Sequence, residues 1–118
     1  MGGSFRDLVV WQRAIALSTE IYRLTGAFPS PEQFGLSNQL RRASVSIASN
    51  IAEGWGRSTR GEYLQFLGHA RGSLCELQTQ LTIAKALGFG STKLHESAEK
   101  ESADVSRLLI ALIKKMKT

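Results

Sequence analysis

The chain has 118 residues, 42% of them hydrophobic, and a formal net charge of +5. This composition suits one folded domain and excludes an intrinsically disordered chain. A single cysteine, Cys75, excludes an intrachain disulfide framework, and we expect a cytoplasmic protein. No run approaches the roughly 20 apolar residues that span a bilayer, so we expect no membrane association.

The first predicted helix runs from about residue 6 to residue 25. Ser4 with Asp7 three residues later resembles a capping box at its start, and Gly26 and Pro29 end it. Its apolar side chains fall on two adjoining faces. The first face carries Val10, Ala14, Leu17, Ile21 and Leu24, and the second carries Leu8, Trp11, Ile15 and Tyr22.

The second predicted helix runs from about residue 31 to residue 54. Ser30 as N-cap, Pro31 at the first helical position and Gln33 at the third are typical of a helix start. Gly35 is a candidate interruption, after which Ser37 offers a second cap. One stripe follows, formed by Leu36, Leu40, Ala43, Ile47, Asn50 and Gly54.

The third and fourth predicted helices cover about residues 60–87 and 92–117. Thr59 and Glu62 form a capping box for the third helix. Its apolar residues recur at alternating spacings of four and three, which is typical of helices packed nearly parallel in a bundle. The third stripe is Tyr63, Leu67, Ala70, Leu74, Leu77, Leu81 and Ala84, and the fourth is Leu94, Ala98, Val105, Leu108, Leu109, Leu112 and Met116.

These segments predict an all-α fold: one domain over residues 1–118, built as an antiparallel up-down-up-down four-helix bundle, because short connections place neighbouring helices antiparallel. Such a bundle needs one apolar stripe per helix. The first helix has a second apolar face, and the third helix carries Phe66 and Ile83 outside its stripe. The chain therefore has more apolar surface than the core of one bundle can bury. Contiguous apolar surface of this kind marks interfaces, so we expect a homo-oligomer.

The sequence offers no constellation for catalysis. His69 and His95 are the only histidines, and they fall on different predicted helices. No metalloprotease, CxxC, nucleophile-elbow or phosphate-loop motif occurs. We therefore expect a protein that is not an enzyme, with no cofactor and no metal.

Two polar residues, Asn50 and Glu53, stand among apolar neighbours on the second helix. A buried charge needs a partner, because its desolvation otherwise costs several kcal/mol. We therefore interpret the two residues as structural polar pins, which either satisfy helix ends or fix helix register by pairing with Arg42 or Arg71 across the bundle.

Five arginines and no lysine occupy the stretch between residues 41 and 71, and Arg forks suit bidentate contacts with phosphate. These candidates for nucleic-acid binding are Arg41, Arg42, Arg57, Arg60 and Arg71. The plainer alternative is a solvated basic surface. Trp55 could stack on an unpaired base or plug the end of the core. Lys114, Lys115 and Lys117 favour the dipole at the end of the fourth helix and need no ligand to explain them.

The blocks SNIAEGWGR at residues 49–57 and GSLCELQTQL at residues 72–81 resemble the proteins encoded in intervening sequences of bacterial 23S rRNA genes. The resemblance covers about Leu36 to Gly88, with a further match at residues 8–14. It implies a four-helix bundle that assembles into a ring-like homopentamer without known catalysis.

The same superfamily includes the accessory protein of diversity-generating retroelements, for which the resemblance implies a basic surface that binds nucleic acid and a reverse-transcriptase partner. We thus expect an RNA-binding module or, alternatively, a scaffold for a protein partner.

Overall fold

The computed structural model describes residues 3–118. Over this range the chain is all-α, with four long helices, two short 3₁₀ turns and no strand, which confirms the predicted all-α class with four helices. The 3₁₀ turns are Phe5–Asp7 and Ser30–Phe34, and the helices are α1 (Val9–Thr25), α2 (Leu36–Trp55), α3 (Arg60–Ala86) and α4 (Thr92–Lys117). None of these helices carries an apolar stretch long enough to cross a bilayer.

The first two helices begin later than the sequence predicts. The Ser4–Asp7 capping box forms, but it caps the first 3₁₀ turn, and α1 starts at Val9. The start signal at Ser30 likewise produces a 3₁₀ turn. Gly35, at φ −108° and ψ −115°, separates that turn from α2. The predicted interruption at Gly35 is therefore confirmed, and Glu32 Oε1 accepts the Leu36 N–H in place of a cap.

The predicted apolar stripes form the core. The first face of α1 is buried throughout, and so is the stripe of α3 beyond Tyr63, which is partly buried. The core is long and narrow, because the molecule measures 45 × 23 × 21 Å and a helix of α3's length spans about 40 Å. The helices α3 and α4, of 27 and 26 residues, run most of this length, and the shorter α1 and α2 share one apolar interior with them.

Contacts between neighbouring helices run in opposite order along the two partners, so residues late in one helix meet residues early in the next. Between α1 and α4, Arg13 bonds Asp104 and Glu20 accepts from Ser97. The other three pairs show the same order: Ser18–Ser44 and Thr25–Arg41 between α1 and α2, Ser46–Ser73 and Gln39–Gln80 between α2 and α3, and Gln78–Ser102 and Lys85–Glu99 between α3 and α4.

The turn between α3 and α4 depends on a glycine. Gly90 has a φ of +82°, and a Cβ on it would lie 2.6 Å from Leu24 Cδ1. The turn therefore presses against the end of α1, where Phe28 and Phe89 pack with ring centroids 5.7 Å apart. His95 is buried beside them, and its Nε2 lies 2.7 Å from the Phe89 carbonyl oxygen.

The second face of α1 divides into two parts. Leu8 and Trp11 pack against the core margin, whereas Ile15 and Tyr22 remain 42% and 47% exposed. Val45 of α2 is 46% exposed and lines, with Ile15, an apolar groove of about 290 Å³ between the two helices. A continuous apolar surface thus remains on the α1–α2 face of the single chain.

Candidate nucleic-acid interface

The helix α2 ends within the GWGR segment, where it packs tightly against α3. Gly54 is buried, and a Cβ on it would lie 2.9 Å from Phe66 Cβ and 3.0 Å from Tyr63 Cδ1. Only a residue without a side chain lets the two helices approach this closely. Thr59 then accepts the Glu62 N–H and caps α3, as the sequence predicts.

Trp55 does not plug the core. Its side chain is 39% exposed and packs edge-on against Tyr63, with ring centroids 6.4 Å apart. Burial raises the pKa of Tyr63, whose hydroxyl has no hydrogen-bond partner among the described residues. An exposed indole face therefore borders the turn between α2 and α3.

The two polar residues of α2 behave differently from each other. Asn50 Nδ2 donates to the carbonyl oxygen and the hydroxyl of Ser46 at 2.8 and 3.0 Å, and Ser46 Oγ lies 2.9 Å from Ser73 Oγ on α3. Asn50 thus contributes to helix register through a serine pair.

Glu53 departs from the predicted arrangement. It is exposed and forms no ion pair within residues 3–118, with Arg42, Arg71 or any other residue. The expected salt bridge across the bundle is therefore wrong for the described chain. Glu53 keeps its hydration on the helix surface, so no desolvation cost demands a partner.

Arg41 has a structural role that the sequence did not indicate. Its Nε donates to Thr25 Oγ1 at 2.8 Å, and its guanidinium lies 4.8 Å from the centroid of the Tyr22 ring. The side chain therefore ties α2 to the end of α1 while its terminal nitrogens stay without an acceptor in the described chain. Arg42 and Arg71 are exposed and form no ion pair over the same residues.

Arg57 and Arg60 flank the turn between α2 and α3, and both are exposed. Arg57 pairs with Glu62 at 3.3 Å, and its guanidinium lies 5.2 Å from the Phe66 ring centroid. The hydrogen bond from Arg57 is the main cause that lowers the pKa of Glu62. Arg60 Nη1 lies 3.5 Å from the Thr118 carbonyl oxygen, which brings this turn beside the end of α4.

The fold thereby gathers cations from separate parts of the sequence at one end of the bundle. The first 3₁₀ turn joins the same end, because Phe5 and Ala52 line one groove. All the cations are exposed, and with Asp7, Glu53 and Glu62 as the acidic residues of these segments, positive charge is in excess. We call this surface the basic end; it consists of Arg6, Arg57, Arg60, Lys114, Lys115 and Lys117.

The five predicted arginines do not form one cluster. Arg57 and Arg60 belong to the basic end, whereas Arg41, Arg42 and Arg71 lie further along α2 and α3. Sequence reasoning explained the α4 lysines by the helix dipole alone. In the structure, Arg60 at the start of α3 meets Thr118 at the end of α4, which brings the two groups of cations together.

The described residues contain no group of three or more histidine, cysteine, aspartate or glutamate side chains placed to hold a metal ion. Cys75 is exposed and free on α3. The exposed cations and the exposed Trp55 ring of this surface offer charge, hydrogen bonding and stacking.

Comparisons with known proteins agree with this architecture. No curated protein sequence matches the chain significantly. A crystal structure of a protein of unknown function from the S23 ribosomal protein family of Bacteroides thetaiotaomicron matches with a TM-score of 0.82 and 24% identity, over 90% of this chain and 99% of that one. At that identity the match supports the fold alone. The profile of the 23S rRNA-intervening sequence proteins matches residues 6–111, and the chain therefore belongs to that family.

Proposed function

We propose that this protein is a non-enzymatic, homo-oligomeric RNA-binding module of the cytoplasm, built on an antiparallel up-down-up-down bundle. The observation that carries the RNA proposal is the basic end. Arg57, Arg60 and the lysines of α4 come from segments more than 50 residues apart in sequence, and they face solvent together. Contacts of Lys and Arg with phosphate dominate nucleic-acid affinity, and Arg offers a planar fork to phosphate oxygens.

An aromatic platform beside these charges favours RNA with unpaired bases. Trp55 is exposed next to Arg57, and a base stacked on an aromatic ring gains about 1–3 kcal/mol. Single-stranded RNA exposes both its bases and its phosphates, so it suits a surface that combines cations with an indole. A duplex hides its base faces and would use the cations alone.

The apolar groove between α1 and α2 supports the oligomer. Ile15 and Val45 each leave two-fifths or more of the side chain exposed, and they line the same groove from the two helices. A second copy covering this face would remove the apolar surface from water. We propose five copies, because the family resemblance implies a pentameric ring, and a ring multiplies the phosphate contacts of one subunit.

Charge neutralisation at the two ends of the molecule tests the RNA proposal. Arg60→Gln with Lys114→Gln removes two cations from the basic end. Lys93→Gln with Lys100→Gln removes two exposed, unpaired cations of the described chain from the first half of α4. We expect the first pair to weaken binding of a fluorescent single-stranded RNA by at least about 10-fold, because hydrogen bonds to charged groups contribute about 1.5–3 kcal/mol each.

The Lys93→Gln, Lys100→Gln variant makes the same change in net charge, so it controls for the effect of net charge on RNA affinity. Equal losses from the two pairs would contradict a localised RNA surface. Failure of the unmodified protein to bind any RNA, together with capture of a reverse transcriptase, would favour the protein-scaffold alternative.

A further inference from the structure

A polar cleft between α2 and α3 lies apart from the basic end. Asn38, Gln39 and Arg42 line it from α2, and Glu76 and Gln80 line it from α3. Its volume is about 370 Å³, which lies within the range of small-molecule sites. Its lining is mainly amide and charged, so a ligand there would be held by hydrogen bonds.

The floor of this cleft contains an unsatisfied acceptor. Gln80 is only 7% exposed, and its Nε2 donates to Gln39 Oε1 at 3.5 Å. Gln80 Oε1 is buried and has no partner within residues 3–118. A buried acceptor without a donor costs about 1–3 kcal/mol, so a ligand that presents an N–H group here recovers that loss.

Opposite charges flank this acceptor without neutralising each other. Arg42 and Glu76 line the same cleft, yet they form no ion pair with each other or with any other described residue. A simple anion would be repelled by Glu76, and a simple cation by Arg42. The cleft therefore fits a ligand with acceptors along one edge and donors along the adjoining edge.

A shallower, more apolar hollow adjoins the cleft and shares Asn38 and Arg42 with it. Tyr22 supplies apolar surface there and Arg41 also lines it, while Val45 lies on the border between this hollow and the separate α1–α2 groove proposed as the oligomer interface. Because Arg41 is fixed by its bond to Thr25 and by the Tyr22 ring, its free terminal nitrogens form a preorganised anion contact. A planar polar group in the cleft and an anion in the hollow would occupy both together.

We propose that this composite site binds a guanine nucleotide. Guanine N1–H and its 2-amino group donate to the Glu76 carboxylate and to Gln80 Oε1, while O6 and N7 accept from Arg42. The phosphate meets the terminal nitrogens of Arg41. Adenine lacks the N1–H and would set its N1 lone pair against the carboxylate. The nucleotide is either free or an unpaired guanosine of RNA, and the RNA case rests on the function proposed above.

Titration of the full chain with guanosine 5′-monophosphate and adenosine 5′-monophosphate, followed by calorimetry and backbone-amide NMR, tests the site. We expect the guanine nucleotide to bind more tightly by about 10-fold or more, with the largest shifts along α2 and α3 around Arg42 and Gln80. Glu76→Gln should abolish the preference. Glu53→Gln, the same change at an exposed glutamate outside the cleft, should leave it intact.

Equal binding of the two nucleotides would overturn the proposal, and so would a guanine preference that survives Glu76→Gln. Free glycine is a zwitterion that could bridge Arg42 and Glu76. The proposal is also overturned if glycine shifts the amide resonances around Arg42 and Gln80 while guanosine 5′-monophosphate does not.

A short single-stranded RNA with one guanosine, replaced in turn by inosine or adenosine, distinguishes the two sources of the ligand. Both glutamate variants remove a negative charge and so raise affinity for any RNA. The ratio of guanosine to adenosine affinity cancels that effect, and inosine isolates the 2-amino contact. If RNA binds without a preference for guanosine, and the free nucleotides also bind equally, the proposed guanine site is overturned. The proposed RNA-binding function then still stands. A preference for the free nucleotide without RNA binding supports the cleft and overturns the RNA function.

Discussion

Gly54→Ala should destabilise the fold, although alanine is the better helix former. Alanine gains up to about 1 kcal/mol over glycine within a helix. At Gly54 the added Cβ would lie 2.9 Å from Phe66 Cβ, 3.0 Å from Tyr63 Cδ1 and 3.3 Å from the Tyr63 carbonyl oxygen. The last contact is with backbone, so it cannot be relieved by rotating a side chain. Overpacking of this kind costs about 1–3 kcal/mol, which leaves a net loss of about 1 kcal/mol.

Two exposed glycines of α3 provide matched controls. A Cβ on Gly68 or on Gly72 meets nothing within 4 Å, so the same substitution there should stabilise the protein by about 0.5–1 kcal/mol. The difference between Gly54→Ala and the controls isolates the packing cost, at about 2 kcal/mol. Urea unfolding followed by helical circular dichroism measures it, with all variants at one protein concentration because oligomerisation shifts apparent stability. If Gly54→Ala is as stable as Gly68→Ala, the close approach of α2 and α3 is not a constraint.

Three further predictions concern a cap, a carboxylate and the oligomer. Thr59→Ala removes the side-chain cap of α3 and should lower the unfolding free energy by about 1 kcal/mol, whereas Ser58→Ala, just outside the helix, should leave it unchanged in the same urea assay. The hydrogen bond from Ser97 is the main cause that lowers the pKa of Glu20 below its ordinary value of 4.5. This hydrogen bond to the Glu20 carboxylate therefore contributes stability above pH 4.5, and that stability is lost as the pH falls through the lowered pKa of Glu20 in the folded protein. Ser97→Ala should thus be destabilised at pH 7 and converge on the unmodified protein in acid; a constant difference across pH would contradict this. Ile15→Asp places a charge on the apolar α1–α2 face and should reduce the sedimenting species to a single chain at micromolar concentration, while an oligomer that persists would exclude that face as the interface.

The helical stripes could be predicted from sequence because spacing alone decides which side of a helix faces the core. Val10, Leu67 and Val105 are buried as their spacing indicates. Helix starts were harder, since the same capping residues also initiate 3₁₀ turns. At Gly35 the 3₁₀ turn ends and α2 begins. The sequence predicted an interruption at Gly35, but it did not indicate that the segment before Gly35 is a 3₁₀ turn and only the segment after it is α-helical.

The candidate site was less predictable because its members depend on tertiary distances. Arg41 and Arg42 are adjacent in sequence, but one ties two helices together while the other opens onto a cleft. Glu53 and Glu76 are both exposed glutamates, and only the second lines that cleft. Arg60 contacts the end of α4 only in the folded chain, and residue type alone gives no indication of that contact.

The salt dependence of RNA affinity tests the central claim most directly. Phosphate contacts predict a linear fall of log affinity with log salt, at a slope of about −0.7 per contact for single strands. The Arg60→Gln, Lys114→Gln variant should flatten that slope by about 1.4 for each subunit that contacts the strand, while the Lys93→Gln, Lys100→Gln control keeps the slope of the unmodified protein. A slope near zero, an absence of binding at roughly 50 mM salt, or equal slopes for the two variants would contradict an RNA surface at the basic end.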